Sequence, residues 1–288
     1  MANLSEIIAR KNQNDEQWKA QKQAERENAA AMQDAGMEEI SSSPEAYARY
    51  LEIQGENPLY SAGNIALAMV QNPDITQFGT VERWKTLGRN VQESERRKGV
   101  QIFSRASFGK GYSLVPAYDI SQTAGREIKK PVLQDGSPAM DSALSTLLNY
   151  SIVPVVVDTG LNVPAFYDEG KLELAINPNY PDGEAFAAIA AEVAHSRFHA
   201  KGANAQYSRS ESELDAQSVS YILCKRFGIK RELPDLSGLS QLYSGWTPQE
   251  VRQALDIVQN MSKKMVSSME QSITPQQHTR GQVKQPTR

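Results

Sequence analysis

The stretch from Glu184 to Tyr221 constrains this chain more than any other. It reads as two consecutive helices. In the first, about Glu184–Ala200 (EAFAAIAAEVAHSRFHA), apolar Phe186, Ile189, Val193 and Phe198 recur at helical spacing, the mark of a helix with one buried side. Glu192, His195 and His199 stand at i, i+3 and i+7, which sets all three on one face. The second helix, about Ser208–Phe227, opens with the acids Glu211, Glu213 and Asp215. Two of the three histidines in the chain thus lie one helical turn apart, with carboxylates close behind in sequence.

This is one residue short of a zinc motif. In a helical HExxH, two histidines at i and i+4 hold the metal and the intervening Glu takes a proton from metal-bound water. Here the frame reads Ala191-Glu192-Val193-Ala194-His195. The base position and the second histidine are present. The first ligand is Ala, which has no lone pair to give.

In context the segment resembles degenerate relatives of zincin metallopeptidases. An extended piece (Val153–Val157), a hairpin (AFYDEGKLELAIN, 165–177) and two helices follow that family's order, and Glu213-Leu-Asp-Ala matches its ExxA third-ligand helix. The resemblance implies Glu192 as base, with His195 and Glu213 as ligands. A shifted zinc site would use His195, His199 and Glu213, although Glu192 then precedes the histidine pair. The plainer reading needs no cofactor: a structural helix pair whose polar residues hydrogen-bond one another in the remnant of an active site.

Length allows two domains of ordinary size. The net charge is −3, so any case for a nucleic-acid partner must be local. The one cysteine, Cys224, sits among apolar neighbours in the second helix and reads as a small hydrophobe. No leader-like segment opens the chain and no apolar run approaches a membrane span. Together these point to a reducing, cytoplasmic setting.

Residues 1–40 form a polar, helix-prone arm with Trp18 its only large anchor. It is either flexible or a partner-binding helix. Ser43 and Pro44 cap the next helix, and a second runs from about Ser61 to Gln71. QIFSR (101–105) and YSLVPAYDI (112–120) read as strands joined by a turn at Gly109-Lys110-Gly111. Residues 126–140 read as a connector, and Thr247, Pro248 and Glu250 open a last long helix. The tail, 273–288, is basic, aperiodic and expected to be disordered; its His278 reads as solvated. The expected class is α+β. A helix-plus-antiparallel-sheet domain (41–125) is followed by a zincin-like hairpin-plus-helices domain (141–272).

Between Arg83 and Lys110 cations gather. Arg83, Lys85, Arg89, Arg96, Arg97, Lys98, Arg105 and Lys110 outnumber Glu82, Glu93 and Glu95. Trp84, Phe103, Phe108, Tyr112 and Tyr118 are interleaved with them or follow closely. Single-strand binders use this mixture: cations track phosphates and flat rings stack on unpaired bases. The bland alternative is a basic sheet edge with its rings in the core. Trp84 and Tyr112 are the stacking candidates, and Asp119 and Gln122 read as closing a turn.

The pieces Trp84…Leu87-Gly88-Arg89-Asn90-Val91, Lys98-Gly99-Val100 and Asp119-Ile120-Ser121-Gln122-Thr123 together resemble ArdC-type antirestriction proteins, and the whole resembles LtrC-like proteins of conjugative elements. The resemblance implies an N-terminal domain that binds single-stranded DNA and a zincin-like C-terminal domain. It further implies a single-strand-binding protein of a mobile element that shields incoming DNA. Two alternatives stay open: a zinc peptidase targeted to DNA, and a structural partner of transfer or restriction proteins.

Overall fold

The computed structural model describes residues 3–105, 111–200 and 202–273. Among them the chain is α+β, with long helices around small sheets. Lys110, Phe108, His278 and most of the tail lie outside the described residues.

Helix α1 (Leu4–Ser42) is capped by Asn3, whose side chain accepts from Glu6 N at 3.0 Å. Trp18 is not its anchor: the ring is 61% exposed. Apolar periodicity begins only at Ala29, and Ala29, Gln33, Gly36, Met37 and Ile40 are buried. Gly36 lets the helix come close to α3 (Ala62–Gln71), since a Cβ there would lie 3.0 Å from Ala66 O. Helix α2 (Pro44–Glu56) begins as its cap residues predict, with Ser43 Oγ accepting from Ala46 N at 3.2 Å.

Strands β1 (Phe78–Thr80), β3 (Val100–Arg105) and β4 (Tyr112–Asp119) form an antiparallel sheet in the order β1-β4-β3. Between them lie α4 (Val81–Thr86) and β2 (Arg89–Val91), which pairs antiparallel with β5 (Thr123–Gly125). Strand β3 is an edge, and α3 covers it. Asn64 and Gln71 exchange paired hydrogen bonds of 2.8–2.9 Å with the backbones of Phe103 and Gln101, standing in for a missing strand. The expected turn at Asp119 and Gln122 is present as a reciprocal cap on a 3₁₀ turn.

The second half carries α5 (Pro138–Leu148) and a three-stranded sheet, β6 (Val155–Val157), β7 (Ala165–Asp168) and β8 (Glu173–Ile176), in the order β6-β8-β7. Strands β7 and β8 form the expected hairpin, and β6 runs parallel to β8. Then come α6 (Asp182–His199), α7 (Arg209–Phe227), short α8 (Leu239–Leu242) and α9 (Pro248–Ile273). Thr247 and Glu250 cap α9 reciprocally, at 3.3 and 2.8 Å.

One contiguous cluster of buried side chains runs from Met37 on α1 to Met269 on α9 and takes in both halves. The halves are also tied by polar contacts. Tyr47 OH meets Ser218 Oγ at 3.0 Å, and Asp256 accepts from Ala62 N at 2.9 Å. Among the described residues no helix is long and apolar enough to cross a membrane.

Candidate functional site

Helices α6 and α7 pack face to face through small residues: Ala190, Ala191, Ala194 and Ala216 are buried, and Ser220 Oγ donates to Ala187 O at 2.6 Å. This close approach brings the acids of α7 to the histidines of α6. His195 is fully buried, with Nε2 3.2 Å from Glu213 Oε2. Its Nδ1 lies 3.2 Å from the hydroxyl of Tyr207, in the loop between the helices. Gln217, one turn along α7, donates to Glu213 Oε1 at 2.5 Å. Bonding to His195, then to Gln217, holds the Glu213 carboxyl down at about 2. Asp215 goes the other way: it lies toward Tyr47, Tyr50 and Tyr243, and burial pushes it up to about 7.

Glu192 is buried and fully engaged. Oε2 accepts the backbone N–H of Tyr167 on β7 at 2.8 Å, and Oε1 accepts from the Arg209 guanidinium at 2.6 Å. Arg209 also lies over the Phe166 ring, 4.8 Å from its centroid. It is the first residue of α7, where the helix dipole disfavours a cation. Its reward is the Glu192 carboxylate.

His199 departs from expectation. Its Nδ1 meets Tyr167 OH at 2.7 Å, and its ring stacks on Tyr207 at 4.6 Å. The shared helical face was correctly read, but tyrosines from β7 and the α6–α7 loop divide it. His195, His199 and Glu213 therefore do not form one ligand set. Among the described residues no group of three or more His, Cys, Asp or Glu side chains is placed to hold a metal ion. One turn before His195, where a further donor belongs, Ala191 presents a methyl group. With a methyl group in that place and His199 turned to Tyr167, the residues present do not fit a three-ligand metal centre, and Glu192, the expected base, is held by a guanidinium.

The cations of the first half are spread over several surfaces. Trp84 is a correction: it is 1% exposed, and its indole N–H donates to Tyr118 O at 2.9 Å, so neither ring face is free to stack. Arg89 is another. Its guanidinium donates to Thr123 Oγ1, Thr123 O and Arg126 O at 2.7–2.9 Å, clamping β2 to β5, so it is committed to the fold rather than free for phosphate. Tyr118 is buried, and its hydroxyl donates to Arg96 O at 2.8 Å. Arg83, Lys85 and Arg97 are exposed. Lys85 lines a separate groove with Arg126 and Lys129. Arg96 and Lys98 form exposed ion pairs with Glu93 and Glu95 at 3.0 and 2.8 Å, contacts too weak to withhold either cation from a stronger anion.

Arg105 and Tyr112 are brought together. They are cross-strand partners at the end of the β3–β4 hairpin, both exposed, Tyr112 at 58%. Opposed residues of antiparallel strands share a face, and this face continues through Phe103, Leu114 and Gln101. The opposite face carries Val100, Ile102 and Ala117 into the core.

The fold has a solved counterpart. Crystal structures of the antirestriction ArdC protein from R388 plasmid match this chain. The Mn(II)-bound structure does so at a TM-score of 0.50 and 12% identity, covering 86% of this chain and 99% of that one. This chain has the ArdC fold. The metal-free structure of the same protein gives a TM-score of 0.49 at 13% identity, covering 84% and 97%. No protein-family model and no curated protein matches the sequence.

Tyr167, Tyr207, Arg209 and Gln217 escaped the sequence reading. Arg209 left one trace, a cation at a helix start, where acids are favoured. Tyr207 and Tyr167 left none, because a tyrosine in a loop or a short strand has many uses.

Proposed function

We propose that this protein is an antirestriction-type, single-strand-binding protein of a mobile element. Its first half would grip unpaired DNA, and its second half would keep a hydrolase-like frame without the metal. The observation that carries the binding role is the outward face of the β3–β4 hairpin, where exposed Tyr112 stands beside Arg105. A ring offers stacking of about 1–3 kcal/mol to any base, and a cation beside it takes the adjoining phosphate. The fold shared with the R388 antirestriction protein supports the antirestriction part of this reading. Arg83, Arg97, Arg96 and Lys98 add charge around the same half of the chain.

The Mn(II)-bound state of the R388 protein raises a metal-dependent alternative. The engaged Glu192 and the methyl of Ala191 argue against it here. In our reading the α6–α7 cluster is a charge-balanced structural element.

The test is fluorescence anisotropy of a labelled oligo-dT with the full chain. Arg105→Ala with Tyr112→Ala is expected to weaken binding by at least tenfold, leaving thermal stability within a few degrees. Unchanged affinity in that double variant would overturn the reading.

A further inference from the structure

We propose that the bound single strand continues from the hairpin into the groove between α1 and β3–β4, where Trp18 is a second stacking ring. This rests on the single-strand reading above and extends it to a helix outside the region of clustered cations.

The groove encloses about 500 Å³. Its α1 wall carries Trp18, Lys19, Lys22 and Arg26, and its sheet wall carries Gln101, Leu114 and, at the strand edge, Ser113. Lys19, Lys22 and Arg26 stand at i, i+3 and i+7, with Trp18 one turn before Lys22, so all lie along one side of the helix. From Trp18 to Arg26 this side runs about 12 Å. Glu25 also lines the groove and pairs with Lys22 at 2.6 Å, so cations outnumber acids three to one in a chain whose net charge is −3.

Gln101 and Leu114 belong to the hairpin face that ends in Arg105 and Tyr112. The groove and that face therefore share Gln101 and Leu114, with Trp18 and the α1 cations on one wall and Phe103, Arg105 and Tyr112 on the adjoining sheet face. Trp18 does no packing work that would explain a tryptophan at this point, being 61% exposed on a stretch of α1 that buries nothing. A stripe of cations alone would suit any polyanion. The indole beside them favours one with flat, unpaired bases over an acidic peptide or a paired duplex.

The test uses the full chain and labelled oligo-dT at several salt concentrations. Trp18→Ala is expected to weaken binding roughly 5- to 150-fold, the range for loss of one stacked base. Lys19→Ala with Arg26→Ala is expected to lower the slope of log K against log salt by about 1.4, two phosphate contacts at the single-strand value. Trp18 lies on an exposed stretch, so the variants should keep the wild-type melting temperature. If both bind like wild type while Arg105→Ala with Tyr112→Ala loses affinity, the groove is wrong and the hairpin reading stands. If the wild type itself binds no single strand, both fail. Poly-glutamate competing as well as oligo-dT at equal charge would also overturn the inference, because it needs no ring.

Discussion

Replacing Arg209 by Ala should destabilise the protein by about 3 kcal/mol. The cation is 30% exposed and its partner Glu192 only 9%, so the loss leaves a carboxylate in a largely dry place with one remaining donor, Tyr167 N. Removing one member of a fully buried pair costs about 3–5 kcal/mol. Partial access of water to the Arg209 side lowers this to about 2–3 kcal/mol. Loss of the guanidinium over Phe166, 4.8 Å from the ring centroid, adds about 0.5–1 kcal/mol. The assay is urea unfolding at pH 7, run as a cycle with Glu192→Gln. Once the carboxylate is gone, Arg209→Ala should cost no more than about 1 kcal/mol, giving a coupling of about 2 kcal/mol. Additive costs, or an Arg209→Ala variant within about 0.5 kcal/mol of wild type, would refute the claim that this pair balances the site's charge.

Other outcomes follow from the same geometry. Ala191→His with Arg209→Ala should acquire stoichiometric Zn(II) binding by calorimetry, because it adds a donor at i−4 from His195 and removes a cation that acts on Glu213; Ala191→His alone should bind more weakly. The Glu213 carboxyl is held down at about 2, below its ordinary value of 4.5, so its contribution is complete above pH 4.5 and is lost as pH falls toward 2. Glu213→Gln should therefore flatten the acid limb of a pH–stability profile across that window. Trp84→Ala should cost about 3–5 kcal/mol in urea unfolding as a core truncation. At temperatures where it stays folded, that variant should keep wild-type oligo-dT affinity. Gln71→Ala uncovers the Gln101 backbone on the edge strand and should cost about 1–2 kcal/mol. Light scattering on warming should show earlier association, as an open edge invites pairing.

Much of the fold was legible because its signals are local. Ser43-Pro44 and Thr247-Pro248-Glu250 mark helix starts through bonds within one turn, and the structure has helices starting there. The strands around residues 101–105 and 112–120 and the hairpin at 165–177 show the same locality. What depends on distant partners was not legible. Spacing along α6 put Glu192, His195 and His199 on one face, but it could not show that Tyr167 and Tyr207 would split that face between them. Whether Trp84 faces a base or the core is decided by Tyr118, 34 residues away. Arg89 looks like any surface cation until the carbonyls of Thr123 and Arg126 are in place. In α1 the missing apolar stripe before Ala29 was visible, but the docking of its last turns on α3 and α9 was not.

The most direct test compares the full chain's affinity for an oligo-dT with its affinity for a duplex of the same length across 50–200 mM salt. The single strand should bind more tightly, with log K falling against log salt at a slope of about −2 to −3.5, or about three to five phosphate contacts. Equal or tighter binding of the duplex, or binding indifferent to salt, would contradict the single-strand reading.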